Sequence, residues 1–351
     1  MNVSTFIKGF SCLFAAFILF IAANYIFSVF YIPEKQTLEI KFDCYKKNPE
    51  KFDALILGSS RVMRGVITER FNEIITNQLI SSETEANNIV SQKKINAFNF
   101  GVKAAQPHIL YLILKKALQS KNNIKWVLVN LDYFGFNISE EGNLSLLSQL
   151  DSFGEKKLLL KFFWYPPNET KAAFVMAKLF PLYRYKDRKL SWFLEKFTQK
   201  KSIVIDDVEY TDNGTNKNFD DSRADSETLK SVFNVFLSKN KKYKLSKAEL
   251  FFLERIISLC KKSGIKLAFF RMPVEKKLEA AFESKVSKIY NEQIAFFTKK
   301  YDVAFWDLNF ENNYNFEDFM FFDAGHLNKT GAELATDLLA YKAKAVSFFK
   351  D

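Results

Sequence analysis

Four residue types are scarce in this chain, and each scarcity closes a class of explanation. Seven prolines and 11 glycines among 351 residues exclude a collagen-like or linker-dominated chain. Three cysteines, Cys12, Cys44 and Cys260, are too few for a disulfide scaffold and lack zinc-ligand spacing. Cys12 falls within an apolar run, while Cys44 and Cys260 could pair or stay free. With two histidines, His108 and His326, imidazole chemistry is confined to two places. His108 follows Pro107 at a predicted helix start and reads as a surface or packing residue. No repeat at solenoid or propeller periods is present. Neither a metal nor a cofactor is expected.

Charge is missing altogether from residues 9–32, a run long enough to cross a bilayer as a helix. A cleaved signal peptide has a shorter apolar region that ends at a small-residue site. Here the apolar run continues well past Ala22-Ala23, so an uncleaved anchor is predicted rather than a leader or a buried core helix. The charge bias does not decide orientation: Lys8 precedes the span, and Lys35, Lys41, Lys46 and Lys47 follow it among Glu34, Glu39 and Asp43. A short N-terminus ahead of a single anchor favours a large domain on the extracytoplasmic side of the cell membrane. The expected organisation is a tail over 1–8, an anchor over 9–32, a linker over 33–52 and a large domain over 53–351.

The net charge is +11, but the lysines are scattered in pairs and accompany no nucleic-acid-binding motif, so nucleic acid is not an expected partner. A solvated basic surface is the default reading. In an envelope protein it would favour approach to anionic lipid heads or acidic polymers.

What is abundant is apolar: 48% of residues are hydrophobic and 16% aromatic, enough for a sizeable core. Beyond the anchor, apolar extended runs alternate with amphipathic helical ones. Strands are predicted over 54–57, 95–100, 126–131, 265–270 and 303–308, and helices over 68–80, 107–119, 246–262, 275–300 and 329–349. That alternation predicts an α/β fold with a parallel sheet and crossover helices, in which function gathers at the carboxyl ends of the strands. Residues 134–243 break the rhythm. They carry Trp164-Tyr165-Pro166-Pro167, an aromatic and basic stretch over 179–188 and a polar run over 206–225, and read as a helical insertion or cap that could shape a substrate pocket.

Two short polar motifs fall at such strand ends. Gly58-Ser59-Ser60-Arg61 follows the first strand, and Asp323-Ala324-Gly325-His326 stands just before the last helix. A serine hydroxyl is a poor nucleophile until a base takes its proton, and an aspartate three residues before a histidine can bond the far ring nitrogen and fix the tautomer. Each motif alone has a plainer reading: a tight turn for the first, and a loop hydrogen bond with Asn328 as helix cap for the second. Found together, in this order and at strand ends, they point to an activated serine.

These residues resemble the SGNH (GDSL-like) hydrolase and acyltransferase superfamily, in which a Gly-Asp-Ser turn carries the nucleophile and an Asp-x-x-His before the last helix completes the triad. The resemblance implies a three-layer α/β/α, flavodoxin-like fold. It assigns Ser60 as nucleophile with Ser59 in place of the usual aspartate, Asp323 as orienter, and His326 as general base. In Asn99-Phe100-Gly101-Val102 it makes Gly101 the oxyanion glycine. The family's Gly-x-Asn-Asp motif would fall where this chain reads Asn130-Leu131-Asp132. The oxyanion asparagine is absent in its usual register, and Asn130 and Asp132 become candidates beside the site. These variants are similar to the membrane-anchored bacterial branch that includes the lipoteichoic-acid D-alanyl transfer protein and the alginate O-acetylation proteins.

That branch implies an acyltransferase acting on a cell-envelope glycan or polymer through a Ser60 acyl-enzyme, with a polytopic membrane acyltransferase as a partner. A plain esterase with water as acceptor, and a non-catalytic binding or assembly protein that keeps the fold, are the alternatives. The uncharged run generates the first test: the full-length chain is expected to fractionate with membranes and to resist extraction by high salt. Recovery in the soluble fraction would remove the anchor.

Overall fold

The computed structural model describes residues 3–30, 37–84, 95–120, 123–137, 209–217, 220–282, 284–309 and 316–349. Most of the expected insertion, including 164–167 and 179–188, lies outside them. The chain divides into two units, 1–36 with 139–207, and 37–138 with 208–351. Within the first, α1 (Val3–Phe30) is a helix of 28 residues, about 42 Å long at 1.5 Å per residue. Its stretch Gly9–Ile26 is long and apolar enough to cross a membrane.

The second unit is built on β1 (Ala54–Gly58), β2 (Ala97–Gly101), β3 (Trp126–Asn130), β4 (Lys266–Arg271) and β5 (Ala304–Asp307). They form one parallel sheet in the order β2-β1-β3-β4-β5. Every residue of the first three strands is buried, which is why they read as unbroken apolar runs rather than alternating ones. Helices cover both faces, giving three α/β/α layers. On one side, Ala54, Ile56, Trp126, Leu128, Ala268 and Phe270 meet α4 (Thr68–Thr84) and the final helix, α10 (Lys329–Ala345). The opposite face carries Leu55, Leu57, Phe98, Phe100, Val127, Val129 and Phe269. There α5 (Pro107–Leu118) packs on α7 (Lys247–Lys262).

The predicted strands and helices are present, with two instructive differences. Part of the expected linker is a helix, α2 (Thr37–Lys47), which buries Lys41, Phe42 and Tyr45; Tyr45 packs against Phe98 and Phe100 with ring centroids 5.4 and 5.2 Å apart. The expected long helix over 275–300 is two, α8 (Lys276–Ala280) and α9 (Ser284–Tyr301). At the break the chain turns inward and buries Phe282, whose ring lies 4.4 Å from that of Tyr133. His108, open between a surface and a packing role in the sequence, is a packing residue: it is 2% exposed, and its Nδ1 lies 2.7 Å from Glu249 Oε1.

The edge strand β2 is closed by chain returning from the insertion. The amide of Asn99 donates to Asn213 O at 2.9 Å, and Gly214 (φ +77°) sits where a Cβ would lie 2.5 Å from Asn99 O. An edge covered in this way cannot template pairing with another chain. Beyond the return, α6 (Ser226–Lys241) is capped by Asp225, which accepts from the amides of Glu227 and Thr228.

Lys41 of α2 is fully buried and donates to Asn99 O at 2.8 Å and Asn99 Oδ1 at 3.2 Å. Burial holds its ammonium well below the usual lysine range. The unfolded chain therefore binds more protons between the lowered native value and about 10.4, and this contribution to stability rises with pH across that window. Any stability advantage of Lys41→Met over wild type, read by urea unfolding of the detergent-solubilised chain, is expected to shrink from about pH 7 to about pH 10. A difference that held steady or widened would contradict a native lysine of lowered pKa.

Candidate active site

The first motif is a strand-to-helix turn. β1 ends at Gly58, Ser59 caps a six-residue helix, α3 (Ser60–Gly65), and its hydroxyl accepts from Arg61 N at 3.3 Å. Ser60 is thus the first residue of α3, where amides lack partners within the helix. Two glycines let α3 lie flat across the ends of neighbouring strands. A Cβ on Gly58 would stand 2.2 Å from Val62 Cγ2, and one on Gly101 would stand 2.2 Å from the backbone nitrogen of Met63. The far end of α3 is tied down by Asn99, whose Nδ2 donates to Val62 O at 3.0 Å and Val66 O at 2.8 Å.

The second motif is a short antiparallel hairpin, β6 (Phe321–Asp323) and β7 (His326–Leu327), in which Asp323 and His326 are cross-strand partners. His326 Nδ1 lies 2.8 and 2.9 Å from the two Asp323 carboxylate oxygens. Since a carboxylate only accepts, Nδ1 carries the proton and Nε2 presents its lone pair. Ser60 Oγ is 2.8 Å from that Nε2, so the serine hydroxyl donates to the imidazole. Residues 266 positions apart in the chain complete a Ser-His-Asp series. The histidine side chain is 19% exposed and the aspartate 7%.

Burial by itself would raise the Asp323 carboxyl. The hydrogen bond and charge of His326, the Gly325 amide at 2.9 Å and nearby Arg64 outweigh it and hold the group below its ordinary range.

The other predicted site residues are near but differently employed. Gly101 is at the end of β2 beside Gly58, yet its amide donates to Asn99 Oδ1 at 2.7 Å. That amide is engaged within the strand end, and the glycine's visible task is to admit α3. Asn130 is buried, with Nδ2 3.3 Å from Phe270 O and Oδ1 without a partner among the described residues. Asp132 Oδ2 accepts from Ser59 Oγ at 2.9 Å, and its Oδ1 lies 3.1 Å from the Arg61 guanidinium. It is an acceptor for its neighbours rather than the missing amide donor. Among the described residues no three His, Cys, Asp or Glu converge as metal ligands.

Arg61 is the residue that sequence reasoning passed over. It is 6% exposed, and besides Asp132 its Nε donates to Gly325 O at 3.1 Å. The rings of Phe236 and Phe134 face the guanidinium at 5.5 and 6.0 Å. The signal was present in the first motif, but an arginine at a helix start gives no sign of burial until Asp132 and Gly325 are placed around it.

Residues 18–339 match the family model described as a protein of unknown function, DUF1574. The chain belongs to that family. A search of curated proteins finds no match for this DUF1574 member. Among solved structures, it is similar to the lipase/acylhydrolase of Enterococcus faecalis, with 8% identity and a TM-score of 0.39 over 84% of this chain and 96% of that one. A protein of Bacteroides fragilis described as a candidate acylhydrolase aligns with 8% identity and a TM-score of 0.35 over 86% and 95% of the two chains.

The lowered Asp323 carboxyl makes a stability test with a defined sign. Its contribution is fully present above the unfolded aspartate value near 3.9 and is lost as pH falls through the lower native value. Asp323→Asn is therefore expected to destabilise more at about pH 6 than at about pH 3. Equal destabilisation at both would show that the carboxylate charge is not stabilised by His326.

Proposed function

We propose that this protein is a membrane-anchored serine esterase or O-acyltransferase of the SGNH type. On this reading it moves or removes a small acyl group on a cell-envelope glycan or polymer. The observation that carries the reading is the continuous hydrogen-bonded series from Ser60 Oγ through His326 to Asp323. In the forward step His326 Nε2 takes the Ser60 proton as Oγ attacks the acyl carbon, and Asp323 stabilises the imidazolium that forms. The imidazolium then protonates the departing alkoxide, leaving an acyl-Ser60. Water or a sugar hydroxyl, deprotonated by the same imidazole, attacks that ester and regenerates the serine.

For the developing oxyanion the available donor is the Ser60 amide, which makes no hydrogen bond among the described residues and sits at the first turn of α3. The α1 helix, long and apolar enough to cross a membrane, supports a membrane setting; on this reading the large domain lies on the extracytoplasmic side and a polytopic acyltransferase supplies the acyl groups. The engaged amide of Gly101 favours a second reading, a non-catalytic envelope component that keeps the fold while lacking a full oxyanion hole.

Labelling with a fluorophosphonate separates the two. The full-length chain in detergent is expected to label on Ser60, with Ser60→Ala losing all signal. His326→Ala should lower the rate by about two to four orders of magnitude, the usual contribution of a general base. Equal labelling of wild type and Ser60→Ala would end the nucleophile assignment, and an inert wild type would favour the non-catalytic reading.

A further inference from the structure

From the position next to Ser60, Arg61 engages two other pieces of chain at the site, the Gly325 turn and Asp132. Its Nε donates to Gly325 O at 3.1 Å, the carbonyl of the peptide that leads directly into His326. The amide of the same Gly325 donates to Asp323 Oδ1 at 2.9 Å. Gly325 is thus held by the nucleophile's neighbour on one side and by the orienting carboxylate on the other. The guanidinium is in turn kept in place by Asp132 Oδ1 at 3.1 Å, while Asp132 Oδ2 accepts from Ser59 Oγ at 2.9 Å. Ser59 and Arg61 flank Ser60 and both engage the same carboxylate.

The packing leaves this brace little freedom. A Cβ on Gly325 would stand 2.7 Å from the Phe236 ring and 3.6 Å from Arg61 Nη2, so ring and guanidinium together close off the side-chain face of the Gly325 turn. The same turn is fixed from behind, where Glu275 N donates to Ala324 O at 3.0 Å.

From this juxtaposition we propose that Arg61 is a positioning residue. It sets the separation of Ser60 and His326 by fixing the Gly325–His326 peptide relative to the serine's own turn, with Asp132 as the counter-ion that orients it. The proposal rests on the catalytic reading of Ser60 and His326 and adds a residue to it. Its chemical basis is the fork of the guanidinium, which serves Gly325 O and Asp132 at once. A lysine ammonium placed there keeps the charge toward Asp132 but cannot reproduce both contacts. Because a misplacement of about 1 Å can cost about a hundredfold in rate, losing the carbonyl contact should act on turnover more than on substrate binding.

The test uses the full-length chain in detergent and two substitutions, Arg61→Lys and the isosteric Asp132→Asn. On a small acetyl ester, Arg61→Lys is expected to lower kcat by about 10- to 100-fold with KM within about twofold, and Asp132→Asn to lower it by a smaller factor. The low-field proton resonance of His326 Nδ1–H, assigned by its loss in His326→Ala, should shift in both. Unchanged kcat and an unmoved resonance in a folded Arg61→Lys would overturn the proposal, as would a loss confined to KM. Should Arg61→Lys fail to fold, an unmoved resonance and unchanged kcat in Asp132→Asn would overturn it equally. A wild-type chain inert to every ester and probe would sink the catalytic reading. The resonance alone would then decide whether Arg61 places His326: a shift supports the brace, and no shift removes it.

Discussion

The site depends on the backbone contact between α3 and the ends of β1 and β2. Gly58 and Gly101 are side by side across the parallel pair, and a methyl group on either would overlap atoms of α3 at 2.2 Å. The overlap at Gly101 is with backbone, which cannot rotate aside, so a larger residue there would lift the helix. Lifting α3 would carry Ser60 away from an imidazole it meets at 2.8 Å. A turn that presents a hydroxyl at the top of a sheet is thus secured first by the absence of two side chains. It is secured next by Asn99, whose amide group binds the last carbonyls of the same short helix. A six-residue helix has little stability of its own; it is held here by what lies beneath it and at its end.

Electrostatics follow a similar logic of occupied partners. Burying charge is costly unless it is paired and hydrogen-bonded, and the interior charges near the site mostly meet that condition. Arg61 has Asp132, Arg271 has both Asp307 and Glu279, and Glu275 has Arg223. Lys41 is the departure: it donates to the two oxygens of Asn99 and its ammonium lies 4.8 Å from the centre of the Tyr210 ring. Asn99 therefore joins α2, the strand end and the serine's helix through one side chain. Its Oδ1 also receives the Gly101 amide, so a side chain two residues upstream engages that donor within the strand end.

Much of the architecture could be read from residue order alone. Five apolar runs became the five parallel strands because a sheet covered on both faces needs side chains that are apolar on both. The helices were legible from their 3.6-residue periodicity and, for α10, from its cap Asn328, whose Oδ1 accepts from Gly331 N at 3.1 Å. Less legible were the elements whose polar composition hid their burial. In α2, Lys41 looks like a surface residue, and α6 falls in the stretch 134–243, which reads as a helical insertion without revealing where its helices begin and end. The pairing of His108 with Glu249 was equally hidden, because it joins side chains 141 positions apart.

By itself the sequence determined the α/β alternation, the N-terminal segment long and apolar enough to cross a membrane, and the identity of the three groups in the Ser-His-Asp series. These follow from local pattern and from residue types scarce enough to leave few choices. Only the tertiary structure decided which donors and acceptors those groups would find. The Gly101 amide turned to Asn99, Asp132 became the partner of Ser59 and Arg61, and Arg61 came to bond the Gly325 carbonyl in the hairpin that carries His326. Hydrogen bonds of this kind are short-range and directional. They are settled by the meeting of side chains far apart in the chain, and no spacing along the sequence encodes that meeting.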